Sequence, residues 1–171
     1  IHGTISPKPL ILLIKPSSAD CNLRCSYCFY LPKAALYPAT PVHRMSDAVL
    51  AGIVSSYMAT DQQTHTFGWQ GGEPTLMGLD FFRRVTDLQI RHGKSGSEVA
   101  NGLQTNGLLL TPEFAGHLAK YNFLTGLSLD GPAELSGLAP GLRVGRAPGL
   151  HSLHLFGLPL HGLRLDLGER R

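Results

Sequence analysis

Four short apolar runs in this chain each break off in a polar or glycine-rich motif, and apolar residues recur at helical spacing between them; no other feature narrows the fold so far. Leu10 to Ile14 is apolar throughout, stops at Lys15 and Pro16, and reads as a fully buried strand. Residues 29–43 carry Pro32, Pro38 and Pro41, none of which can donate inside a helix, so irregular chain is expected there. A helix follows, with Ser46 as N-cap, Asp47 at its positive end, and Val49, Leu50, Ile53, Val54, Tyr57 and Met58 on one face. His65 to Gln70 predicts a second strand with Phe67 and Trp69 on one side. A second helix is expected from Asp80 to His92, faced by Phe82, Val85, Leu88 and Gln89 and leaving at Gly93. Val99 to Gln104 reads as strand three. Thr111, Pro112 and Glu113 open a third helix with cap, N1 proline and first-turn acid, and Phe114, Leu118 and Tyr121 form its face. Phe123 to Leu129 predicts strand four. Alternation of this kind implies an α/β fold with parallel strands and right-handed crossovers. In barrel-like α/β folds, active sites assemble from the loops at the strands' C-terminal ends, so the polar motifs are expected to converge.

The first of those loops holds every cysteine of the protein: Cys21, Cys25 and Cys28, spaced by three and two residues. A short loop lets three sulfurs turn to a common centre. Thiolate is the usual ligand of iron-sulfur clusters, and a [4Fe-4S] cube held by three of them keeps one iron open to a non-protein ligand. A closed zinc site wants four N or S ligands; no second cysteine pair exists, although His2 or His43 could complete a Cys3His set. Buried inert thiols are the third reading, set against the polar neighbours Asn22, Arg24 and Ser26.

With 171 residues and 43% hydrophobic content, the chain suffices for one cored domain. Its net charge of +3 is scattered, without a basic run, so no nucleic acid is called for. No apolar stretch approaches the roughly 20 residues that span a bilayer, and the start lacks a signal-peptide pattern. Together with clustered, odd-numbered cysteines, this reads as a cytoplasmic protein in a reducing compartment. The absence of an initiator Met reads as a processed, trimmed or incomplete chain.

The cysteine spacing, with Tyr27 just before the third, resembles the cluster motif of the radical S-adenosylmethionine (SAM) enzymes. Leu13-Ile14-Lys15-Pro16, Cys28-Phe29-Tyr30, Gln70-Gly71-Gly72-Glu73-Pro74-Thr75-Leu76, Leu103-Gln104-Thr105-Asn106-Gly107 and Gly126-Leu127-Ser128-Leu129-Asp130-Gly131-Pro132 occur in that order. Together they resemble the anaerobic sulfatase-maturating (formylglycine-generating, SPASM-type) enzymes over about residues 10–135. The resemblance implies a partial (β/α) barrel of the radical SAM type, here truncated after about four strands. It implies a [4Fe-4S] cluster on Cys21, Cys25 and Cys28 and a bound SAM. Gly72 and Glu73 would hold the amino end, with Gly71 leaving the backbone accessible; Tyr27 would lie by the adenine, Ser128 would reach the polar middle, and Gln104 and Asn106 are further cofactor candidates.

The implied reaction is reductive cleavage of SAM to a 5′-deoxyadenosyl radical that takes hydrogen from a Cys or Ser of a sulfatase, which becomes formylglycine. The implied partners are a sulfatase polypeptide and an electron donor such as flavodoxin or ferredoxin, without nucleic acid or membrane. The family's later Cys-rich region and acidic general base have no counterpart, so no catalytic residue is assigned. Another radical SAM peptide-modifying enzyme, and a fragment that binds cluster and SAM without turnover, remain as alternatives.

The resemblance stops near residue 135. From Ser136 to Arg171 the composition narrows to almost only Leu, Gly, Arg, His, Pro and Ala, and Pro140 stands where the family continues with Arg. The expected division is therefore 1–135, the N-terminal part of a radical SAM core, and 136–171, a low-complexity tail. That tail reads either as out of frame or as a divergent Leu-rich helix such as Leu150 to Arg164.

Overall fold

A computed structural model of the chain describes residues 9–34, 36, 40 and 42–128. The 136–171 tail, His2, Pro38 and Pro41 lie outside the described residues. Strands β1 (Ile11–Ile14), β2 (Thr64–Trp69), β3 (Glu98–Thr105) and β4 (Leu124–Leu127) form one parallel sheet in the order β1-β2-β3-β4. Helices α1 (Leu31–Ala34), α2 (Asp47–Met58), α3 (Leu79–His92) and α4 (Pro112–Lys120) fall between consecutive strands. The expected α/β class and partial-barrel arrangement are met.

Local chemistry sets the helix starts. The Ser46 hydroxyl accepts from the Val49 N–H and the Thr111 hydroxyl from the Phe114 N–H, each satisfying one orphan donor of a first turn. Leu50, Val54, Tyr57 and Met58 of α2, Phe81, Phe82 and Val85 of α3, and Phe114 and Leu118 of α4 pack with Ile14, Phe67, Trp69 and Leu103 into one core. The helices thus cover one face of the sheet. Register carries Ile14 beside Trp69, Trp69 beside Leu103 and Leu103 beside Thr125, so the residues that follow all emerge at one edge.

Several expectations are corrected. Strand one is not fully buried: Ile14 is, but Ile11 and Leu13 are 63% and 52% exposed. β1 is an edge strand whose helix-free face has no cover among the described residues, and a continuous apolar run does not reveal where its cover lies. Irregular chain was expected over 29–43, yet Leu31–Ala34 forms one helical turn, with Pro32 at the start where its missing N–H goes unneeded. Val49 lies outside the buried face of α2, while Phe81, which was not anticipated, is fully buried. Pro74–Met77 forms an unforeseen 3-10 turn capped by Glu73. Strand four is shorter than expected, ending at Leu127, although the Ser128 N–H still donates to the Thr105 carbonyl. Among the described residues no helix is long and apolar enough to cross a membrane.

Trp69, expected in the core, is there, and its indole N–H donates to Asn101 Oδ1 at 2.9 Å. Gln89 Nε2 donates to the same oxygen at 2.9 Å, and Asn101 Nδ2 returns a bond to Gln89 Oε1 at 3.0 Å. Asn101→Leu would leave the indole and the Gln89 amide buried without partners. A loss of about 2 kcal/mol in urea denaturation is expected; a loss within experimental error would mean that the network does not contribute.

Candidate functional site

The cysteine loop leaves β1 through two tight turns, Ser18 N–H to Lys15 carbonyl and Asp20 N–H to Ser17 carbonyl, with Ser18 at φ 54°. A third turn, Cys28 N–H to Cys25 carbonyl, leads into α1. All three thiols are free and half-buried. Backbone donors already point at two of the sulfurs: Leu23 N lies 3.3 Å from Cys21 Sγ and Tyr30 N 3.4 Å from Cys28 Sγ. Burial pushes the Cys21 thiol up; the Leu23 N–H opposes this, and the nearby Glu73, Cys28 and Cys25 add to it. A bound cation would therefore have to drive off its proton.

Among the described residues, no three His, Cys, Asp or Glu side chains converge enough to hold a single metal ion. His43, one of the histidines considered for a zinc site, instead sets Nδ1 at 2.9 Å from Asp20 Oδ1. Three free thiols on one loop, two of them met by backbone N–H donors, fit the thiolate set of an iron-sulfur cluster.

Asp20 is a junction that the sequence did not reveal. Its carboxylate accepts from the His43 N–H and the Arg44 guanidinium, both at 2.7 Å. Partial burial raises its pKa, but the His43 N–H, His43 ring and Arg44 outweigh that and hold the group below the usual carboxylate range. Its carbonyl accepts the Glu73 N–H at 2.7 Å, while the Ser18 carbonyl accepts the Gly72 N–H at 3.0 Å. The loop after β2 is thus pressed against the cysteine loop. A Cβ on Gly72 would stand 2.0 Å from the Asp20 carbonyl oxygen, and Gly71 adopts φ +128°, so the glycines are required by close approach.

Glu73 is buried, 1% exposed. Its Oε1 accepts from Thr75 N, Thr75 Oγ1 and Thr105 Oγ1 at 2.9, 2.6 and 2.7 Å, and Oε2 accepts from Asn106 N at 2.8 Å. The carboxylate therefore ties the end of β2 to the end of β3. Asn106 carries the link on to the cysteine loop, with Nδ2 at 2.8 Å from Asn22 Oδ1 and 3.8 Å from Cys21 Sγ. One strand further, Gln104 Nε2 donates to Ser128 Oγ at 2.9 Å. Gly126 makes room for this, since a Cβ there would lie 2.3 Å from Gln104 Oε1. Gly72, Glu73 and Asn106 are thus drawn into one hydrogen-bonded group with Cys21 and the backbone of Ser18 and Asp20, Gly71 adjoins that group in the chain, and Gln104 with Ser128 forms a pair beside it. Tyr27 lies on the turn between the second and third cysteines and is largely exposed. The sequence does not single out Ser17, whose buried hydroxyl donates to the Glu73 carbonyl at 2.9 Å, nor Asp20, Asn22 and Thr105; only the adjacency of Asp20 and Asn22 to the first cysteine points toward them.

A model of the Radical SAM superfamily matches residues 16–147. The chain is 42% identical over 130 residues to a cysteine-type anaerobic sulfatase-maturating enzyme of Clostridium perfringens, covering 76% of this chain and 35% of that one. It is 41% identical over 128 residues to a serine-type anaerobic sulfatase-maturating enzyme of Bacteroides thetaiotaomicron, covering 74% and 31%. The chain thus spans about a third of the length of these curated relatives. Among solved structures it is similar to native anSMEcpe with bound AdoMet and Cp18Cys peptide, with TM-score 0.66, 42% identity and coverage of 75% of this chain and 33% of that one. The same protein with bound AdoMet alone gives TM-score 0.67. Matched by the family model from the cysteine loop through β2, β3 and β4, the chain belongs to the Radical SAM superfamily.

Proposed function

We propose that this chain holds a [4Fe-4S] cluster and SAM, and forms the cofactor-binding part of an enzyme that matures sulfatases. The observation that carries this reading is the meeting of three loops at one sheet edge: the cysteine loop, Gly71 to Glu73 and Asn106 are joined by direct hydrogen bonds. When bound, the cluster and SAM would supply one-electron reductive cleavage and hydrogen abstraction, the first half of the two-electron oxidation of a Cys or Ser side chain toward formylglycine, with the second electron going to an acceptor of the cluster's class. Cys21, Cys25 and Cys28 would hold the cluster. Gly71 and Gly72 bring bare backbone to the site for the amino end of SAM; Glu73, expected to share that contact, has both carboxylate oxygens engaged by Thr75, Thr105 and Asn106 and instead holds that backbone in shape. Ser128, oriented by Gln104, is the hydroxyl offered to the polar middle of the ligand, and Tyr27 the group offered to its adenine. A sulfatase segment as substrate and a flavodoxin- or ferredoxin-type reductant complete the reading. The near-equal likeness to cysteine-type and serine-type relatives supports either side chain as the target.

Anaerobic reconstitution with iron and sulfide is expected to give about four irons per chain, since three thiolates suit a cube with one open iron. SAM should then change the electron paramagnetic resonance spectrum of the reduced protein. Tight zinc without iron uptake would overturn the proposal. Separate assays of 5′-deoxyadenosine and of formylglycine in a sulfatase peptide distinguish cofactor binding from turnover.

A further inference from the structure

We infer that Asn106 is a positioning residue for the cluster: its side-chain amide holds Cys21 in place and, by hydrogen bonding toward the sulfur, raises the reduction potential. This rests on the cluster reading above. The amide is fixed from several sides. The backbone N–H of Asn106 donates to Glu73 Oε2 at 2.8 Å, and its Oδ1 accepts the Leu108 N–H at 3.0 Å. Because a backbone N–H must meet an oxygen, that second bond settles which end of the amide is which. Nδ2 then faces the cysteine loop, 2.8 Å from Asn22 Oδ1 and 3.8 Å from Cys21 Sγ. With 9% exposure, the side chain has little access to water as an alternative partner. Both ends of the amide are thereby committed within the protein, so Asn106 acts through Cys21 rather than by direct contact with SAM.

The physical consequence concerns charge. Reduction adds an electron to an already anionic thiolate-ligated cluster, and N–H groups aimed at sulfur stabilise the more negative state, raising the potential. Cys21 Sγ receives the Leu23 N–H at 3.3 Å besides the Asn106 amide. The Leu23 donor is backbone and survives any substitution except proline at that position; the Asn106 donor is the one that a side-chain change removes.

The test is a redox titration of the reconstituted chain, followed by electron paramagnetic resonance, with iron content measured in parallel. Asn106→Leu is expected to lower the reduced-to-oxidised ratio at a given potential on the order of tenfold, a midpoint ~59 mV more negative for a one-electron couple. Asn22→Leu removes the acceptor that steers the amide but leaves Asn106 anchored on Glu73 and Leu108; it should shift the midpoint the same way by less. Should Asn106→Leu fail to fold, Asn22→Leu decides. A full complement of iron with an unchanged midpoint would overturn the inference while leaving the cluster reading intact. No iron uptake by the unsubstituted chain would overturn both.

Discussion

Alanine at any one of Cys21, Cys25 or Cys28 is expected to reduce iron uptake on anaerobic reconstitution to roughly a tenth of the unsubstituted level or below, because two thiolates leave half the irons of a cube without protein ligands. Among the described residues, substitute ligands are not at hand. The chain has no fourth cysteine, and no three His, Cys, Asp or Glu side chains converge among the described residues. His43 is engaged with Asp20. Ser26→Ala, in the same turn, is the control and should keep its iron. Near-complete iron in any single cysteine variant would sink the assignment of that sulfur.

Glu73→Gln is expected to destabilise the chain by about 3 kcal/mol, nearly as much as Glu73→Ala, despite its matching shape. Every partner of this carboxylate is a donor. The Thr105 hydroxyl accepts the Gly107 N–H at 3.0 Å, so its own proton is directed at Glu73. An amide must turn its NH2 toward either the Asn106 N–H or the three donors on the other oxygen. Each orientation sets donor against donor in a site closed to water, and each loosens the tie between β2 and β3. Chemical denaturation followed by circular dichroism measures the loss. A Gln variant as stable as the parent would show that the four bonds do not hold these strand ends together.

Much of the fold was legible because its determinants are local. Ser46 and Thr111 cap helices through bonds that span three residues, and the alternation of Phe67 with Trp69 and the helical spacing of Leu50, Val54 and Tyr57 need only a short window. The cysteine spacing and the glycines at 71 and 72 were visible for the same reason, and strand–helix alternation was enough for a parallel sheet with its polar motifs at one edge. Tertiary structure alone decided the rest. Ile11 and Leu13 form the same apolar run as Leu12 and Ile14, yet only Leu12 and Ile14 pack toward the helices, because burial depends on what crosses the sheet rather than on the run itself. Asp20 meets His43 and Arg44 across more than twenty residues, and Glu73 meets Thr105 and Asn106 across more than thirty. No periodicity records such pairs. A buried carboxylate gathers donors from whichever backbone the fold brings near, and that choice made Glu73 a tie between strands and brought Asn106 to the first cysteine.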